Sequence, residues 1–153
     1  MRSHPFEIYV FRKTSYKPPE HRSRARSDDT GPLAKIVGID INEKCKAYEA
    51  PGISVRIGDQ GDERFLQSVV DELGVPDIVL DDGSHQMEHI AKSFNYLYPK
   101  PPKNGVYMVE DLHTAYWEEF GGGVSKPDTF INMSKGFIDR LNADHTRGQV
   151  RIT

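Results

Sequence analysis

The sequence predicts an α/β fold built on a mostly parallel sheet with helices on both faces. Three observations carry this expectation. From Lys35 onward, short apolar runs alternate with helical patterns. The runs are short and rich in Val, Ile or Leu, as strands covered on both faces are. Helical stretches joining consecutive strands are the signature of right-handed βαβ crossovers, which build parallel sheets.

The elements follow in chain order. "KIVGID", "SVRIGD", "DIVLDD" and "GVYMVED" read as strands. The connection after Asp40, "INEKCKAYEAPGI", is short and only weakly helical. In "DERFLQSVVDELG", Phe65, Leu66, Val69, Val70 and Leu73 fall on one helical face, with Asp62 as N-cap and Gly74 as the stop. Met87, Ile90, Phe94 and Leu97 form a second apolar stripe ended by Pro99, and Ser84 is the candidate N-cap before it. "TFINMSKGFIDRLNADH" predicts a third helix with Phe130, Phe137, Ile138 and Leu141 facing inward. The basic, proline-broken stretch from Arg12 to Arg26 offers little to bury and reads as a solvated segment, a basic arm for an anionic partner being the alternative.

Whole-chain properties narrow the class. A length of 153 residues fits one domain, and a formal net charge of −3 gives no general affinity for nucleic acid. No apolar run approaches the ~20 residues of a membrane span. The start "MRSHPFEIYVFRK" has no signal-peptide pattern, so a cytoplasmic location is expected. The single cysteine, Cys45, excludes an internal disulfide framework and reads as filler.

Every predicted strand from Lys35 onward finishes in an acid: Asp40, Asp59, Asp81 with Asp82, and Glu110 with Asp111. Parallel strands present their C-terminal ends at one edge, where open α/β sheets bind ligands. Clustered carboxylates repel one another unless a cation or a hydroxyl-rich ligand lies among them. An acid in the place of Asp40 accepts hydrogen bonds from ribose hydroxyls in nucleotide-binding folds, and Asp59 with Gln60 suits an adenine edge. Asp82, Glu110 and Asp111 are hard oxygen donors for Mg²⁺ or another divalent ion. His85, three residues past Asp82, stays on the same lip, where an imidazole suits a general base. His89 is one turn further along the helix, and His113 is a candidate substrate contact.

In order and spacing, "VGIDINEKCK", "RIGDQGDERFL", "DIVLDDGSHQMEH" and "NGVYMVEDLHTAYW" resemble the class I S-adenosylmethionine-dependent O-methyltransferases of the macrocin and mycinamicin group, which modify macrolide sugars, and their cephalosporin hydroxylase relatives. The resemblance covers about residues 34–120. It implies a Rossmann-like sheet, S-adenosylmethionine as methyl donor, and Mg²⁺ gripping vicinal sugar hydroxyls. It also implies His85 as general base, Asp82, Glu110 and Asp111 as metal ligands, and Glu7, Asp40, Asp59, Gln60 and Asp81 on the cofactor side. The implied partner is a hydroxylated small molecule, a glycoside in particular. Neither nucleic acid nor membrane is expected, and homo-oligomerisation is left open. Tyr116 and Trp117, before the pliable Gly121–Gly123, would form a lid or sugar-stacking wall, with core packing as the alternative for Trp117.

Two departures from the family pattern stand out. Its first strand ends in roughly Glu-Ile-Gly and further glycines, whereas "FEIYVFRKTSY" has Tyr9 and Lys13 at the glycine positions, where side chains would invade the cofactor's space. The last two strands of the fold are missing or reduced to "GQVRIT". One methyltransferase-like domain is expected over 1–153, with 1–33 atypical, 34–120 carrying the motifs and 121–153 a truncated C-terminal part. The activity expected is metal-assisted O-methyl transfer. The alternatives are a non-catalytic relative acting as a binding subunit, and a metal-dependent hydrolase, which would leave Asp40 and Gln60 without a role.

Overall fold

A computed structural model describes residues 8–13 and 34–150. Among the described residues, five strands form one sheet in the order β3-β2-β1-β4-β5. They are β1 Ile8–Lys13, β2 Ala34–Asp40, β3 Ile53–Ile57, β4 Ile78–Asp81 and β5 Val106–Val109. β2 pairs with β3, and β4 with β5, in parallel. β1 lies between the two pairs and is antiparallel to both β2 and β4. The other four strands therefore run the same way, and the architecture is α/β, Rossmann-like and mostly parallel. Glu7, the stretch 14–33 that includes most of the basic arm, and 151–153 lie outside the described residues.

The direction of β1 overturns one expectation. Ile8 pairs with Asp81 and Ile39 beside the acid-bearing edge, while Lys13 pairs with Ala34 at the far edge. Five residues at ~3.3 Å each put Lys13 roughly 17 Å from that edge. Tyr9 is held inside the ladder opposite Gly38 and Leu80. Lys13 therefore lies away from the edge at which a cofactor loop is expected.

Helix α1, Glu63–Leu73, starts on Asp62, whose Oδ1 accepts from the backbone N–H of Arg64 and Phe65, and stops at Gly74 with φ 90°. Helix α2, Met87–Leu97, buries Met87, Ile90, Ser93, Phe94 and Leu97. Its N-cap is Gln86, and Ser84 supports the entry by accepting from the Gln86 N–H at 3.3 Å. Helix α3, Phe130–Leu141, is capped by Thr129 and packs Phe130 and Phe137 on Phe94 at centroid distances of 5.1 and 5.5 Å. Ile138 and Leu141, expected inward, are 62% and 86% exposed. The buried side of α3 runs through Phe130, Ile131, Met133 and Phe137 instead.

Alternation along the strands sends Val37, Ile39, Val79 and Tyr107 to one face, where Leu66 and Val69 of α1 and Leu97 of α2 close over them. The opposite face carries the 3-10 helix Glu43–Tyr48, whose Cys45 packs on Val55 and Ile57. Ile78, Val106 and Met108 on that side are 37%, 44% and 45% exposed. Residues 146–150 form turn and bend, with no strand.

Candidate active site

β4 delivers two adjacent carboxylates, and alternation separates them. Asp81 faces the core and is 1% exposed, whereas Asp82 stands half-buried at the lip. Beyond Asp82 the chain turns through Gly83 and Ser84 to His85, whose φ of 58° is left-handed. This places His85 Nε2 3.8 Å from Asp111 Oδ2, across the lip from the end of β5. Asp111 is itself left-handed, at φ 50°. A non-glycine residue there costs about 1–2 kcal/mol, so two of them facing each other mark a locally strained site. Thr114 Oγ1 steadies both, donating to the carbonyls of Asp111 at 2.9 Å and His85 at 3.5 Å.

One ligand atom from each of Asp82, His85 and Asp111 lies within 4.8 Å of the others. Opposed ligands on an ion with bonds of ~2.0–2.6 Å span about 4–5 Å, so this set fits a hard divalent cation. Glu110, expected among the ligands, lies outside the cluster. The alternation of β5 groups it with exposed Val106 and Met108, and its N–H extends the ladder by donating to the Asp81 carbonyl at 2.9 Å.

Behind the lip is a buried polar network. Gln60 is fully enclosed: its Nε2 donates to Asp81 Oδ1 at 3.2 Å and its Oε1 accepts from the Ser84 N–H at 2.7 Å. Asp81 Oδ2 accepts from Ser93 Oγ at 2.6 Å and from the Tyr107 hydroxyl at 2.8 Å. Burial pushes the Asp81 carboxyl above its ordinary range, against the hydrogen bonds from Ser93, Tyr107, Gln60 and the Gly83 N–H. Burial and the charge of Asp81 push the Tyr107 phenol upward as well. Gln60 and Asp81, expected on the cofactor side, are buried here with their polar atoms engaged by partners inside the protein. Ser93, Tyr107 and Thr114 escaped the sequence reading. Ser93 lies on the inward stripe of α2 and Tyr107 alternates inward on β5, so periodicity carried a signal for both.

The remaining acids at this edge are also partly committed. Asp40, 8% exposed, accepts from the Asn42 N–H at 2.6 Å and from Cys45 Sγ at 3.1 Å, which gives Cys45 a hydrogen-bonding part as well as packing. Asp59, with its side chain 46% exposed, accepts from the Gly61 N–H at 2.7 Å and lies 3.8 Å from His89 Nδ1. His89 points back to the loops, its Nδ1 also 3.0 Å from Ser84 Oγ. With β1 between them, β2 and β4 are about 10 Å apart, so the acids form two groups rather than one. Glu7 lies outside the described residues.

An aromatic rim flanks the lip. His113 Nδ1 is 3.8 Å from Asp111 Oδ1 and its ring meets Trp117 edge-on at 4.9 Å. Phe120 lies 5.9 Å from Trp117 and 6.4 Å from the His85 ring. Trp117 and Tyr116 are 42% and 52% exposed, so neither is core. The glycines after them are not a pliable hinge. The Gly122 N–H donates to the Trp117 carbonyl and the Gly123 N–H to the Ala115 carbonyl, and a Cβ on Gly122 would come within 2.6 Å of the Ala115 backbone.

No model of a known protein family matches the chain. Over 109 residues it is 42% identical to the demethylmacrocin O-methyltransferase of Streptomyces fradiae, covering 69% of this chain and 27% of that protein. It is 37% identical over 113 residues to the mycinamicin VI 2''-O-methyltransferase of Micromonospora griseorubida, covering 72% and 28%. The solved structure of MycE methyltransferase from the mycinamycin biosynthetic pathway, in complex with Mg and SAH, matches with a TM-score of 0.68 at 37% identity, over 71% of this chain and 29% of that one. A second MycE structure, holding Mg, SAH and mycinamycin VI, matches with a TM-score of 0.67. The chain resembles the macrolide-sugar O-methyltransferases in sequence and fold, and spans less than a third of the length of each of these relatives.

Proposed function

We propose that this chain is an S-adenosylmethionine- and divalent-metal-dependent O-methyltransferase, acting on a hydroxyl of a glycoside or another hydroxylated small molecule. The observation that carries this reading is the convergence of Asp82, His85 and Asp111 on one lip. The relatives are O-methyltransferases by name, and the matching MycE structures hold Mg and SAH. Asp82 and Asp111 would hold the ion. A bound divalent ion supplies Lewis acidity that lowers the pKa of a coordinated hydroxyl. His85 accepts the hydroxyl proton, and Asp111, 3.8 Å from its Nε2, stabilises the imidazolium that results. The exposed faces of Trp117 and Tyr116 beside the lip suit the apolar face of a sugar ring.

The described residues fit the metal and do not fit the methionine end of S-adenosylmethionine. Asp40 and Asp59 stand at the strand ends that would receive adenosine, but the end of β1 that should cradle the methionine portion is at the opposite edge. That reversal favours a second reading, in which the chain keeps the metal site as a non-catalytic binding relative. Calorimetric titration of Mn²⁺ into the wild-type chain and Asp82→Ala tests the metal site common to both: saturable binding by wild type and its loss in the variant are expected, and equal binding by the two rejects the site. Thermal-shift titration with S-adenosylmethionine then separates the readings, because a dose-dependent rise in Tm belongs only to the enzyme.

A further inference from the structure

We infer that Gln60 is a positioning residue: reaching across from the β3–α1 loop, it fixes the turn from Asp82 to His85 in the form that keeps the imidazole against Asp111. The inference rests on the methyltransferase reading only for its metal measurement. Gln60 is 24 residues from Ser84 in the chain, yet its Oε1 receives the Ser84 N–H at 2.7 Å. The turn is moulded on that amide, since a Cβ on Gly83 would overlap Gln60 Oε1. The orientation of the amide is also set, because Nε2 is engaged by Asp81 Oδ1, which leaves Oε1 directed at Ser84.

Strain supplies the reason for such a clasp. His85 is held at φ 58°, and a left-handed histidine persists only where its surroundings over-determine the backbone. Among the described residues, the Gln86 N–H to Ser84 Oγ and the Ser84 Oγ to His89 Nδ1 contacts come from the same segment, Gln86 Nε2 reaches the Glu119 carbonyl at 3.3 Å beyond the turn, and Thr114 Oγ1 meets the His85 carbonyl at 3.5 Å. Gln60 is thus the restraint that anchors the turn to the sheet's other loop. That loop also carries Asp59, next to Gln60 in the chain, whose carboxylate is held separately by the Gly61 N–H. A purely structural network would weaken folding when cut and leave the lip as it was.

The test is the NMR signature of the His85 ring in the full chain without added metal, paired with Mn²⁺ affinity and Tm. Gln60→Met keeps the volume and loses both hydrogen bonds. It is expected to move the His85 ring resonances toward those of an unconstrained histidine, with Mn²⁺ affinity nearly kept because Asp82 and Asp111 would still hold the ion. Gln60→Glu retains an oxygen for the Ser84 N–H and is expected to preserve the His85 signature while lowering Tm, because it faces Asp81. Tyr107→Phe, which cuts the same network away from the turn, should lower Tm alone. His85 signals unchanged in Gln60→Met, or moved equally by Tyr107→Phe, overturn the inference. Should Gln60→Met not fold, Gly83→Ala displaces the amide with Gln60 present and is read by the same criterion. Absence of Mn²⁺ binding in the wild type would reject the metal reading, and the ring signals would still decide the role of Gln60.

Discussion

Asp81 and Asp82 are neighbours on one strand and live in opposite environments. Asp81 is sealed among Gln60, Ser93 and Tyr107, where burial raises its pKa and its oxygens serve the fold. Asp82 stands at the lip beside His85 and Asp111, where an oxygen can serve a ligand. Nothing in the chemistry of the two side chains distinguishes them. The period-2 alternation of a strand that ends at the sheet edge does, and Gln60 joins the two environments by bonding Asp81 with one end of its amide and the turn after Asp82 with the other.

The comparison can be broken at the lip first, where the largest effect is expected. His85→Ala should lower methyl transfer to a glycoside acceptor by ~10² to 10⁴, the usual cost of losing a general base, with Mn²⁺ affinity nearly kept. Transfer of labelled methyl at saturating Mg²⁺ measures this, and an unchanged rate removes His85 from the chemistry. On the buried side the effect is on stability and depends on pH. Because the folded-state pKa of Asp81 is raised, its contribution is full below the ordinary aspartate value of ~3.9 and declines as pH rises through the folded value. Urea denaturation across that range should show stability falling with pH in wild type and Asp82→Asn. The fall should be reduced in Asp81→Asn, and equal slopes in all three would contradict the burial argument. The smallest effect belongs to an apolar residue that lies outside. Leu141→Ala should change unfolding free energy by no more than about 0.5 kcal/mol, since Leu141 is 86% exposed. A loss of the ~2–5 kcal/mol typical of a buried leucine would mean that something covers the end of α3 in solution.

Much of this was legible because it is local. Asp62 caps α1 through N–H groups two and three residues away, and Gly74 ends the helix by taking a positive φ, so a short window of sequence contains both partners. The apolar stripe of α2 and the acids at the strand ends follow from periods of 3.6 and 2 in the same way. For the site, local reading brought Asp82, His85 and Asp111 to one edge. Strand-end position puts Glu110 at the same edge, and only the alternation of β5, which turns it to the side of exposed Val106 and Met108, separates it from that cluster.

What the sequence by itself determined is therefore the four strands from Lys35 onward, the three helices with the caps of α1, and the edge of the sheet at which the carboxylates gather. Tertiary structure alone decided the direction of β1, since a strand's side-chain alternation reads the same whichever way the strand runs between its neighbours. It decided that Ile138 and Leu141 face outward, because the apolar pattern of a helix does not say how far its partner helix extends. It also decided that Gln60 meets Asp81 and Ser84, 21 and 24 residues away, since a buried amide's partners are set by which loops the sheet order brings together.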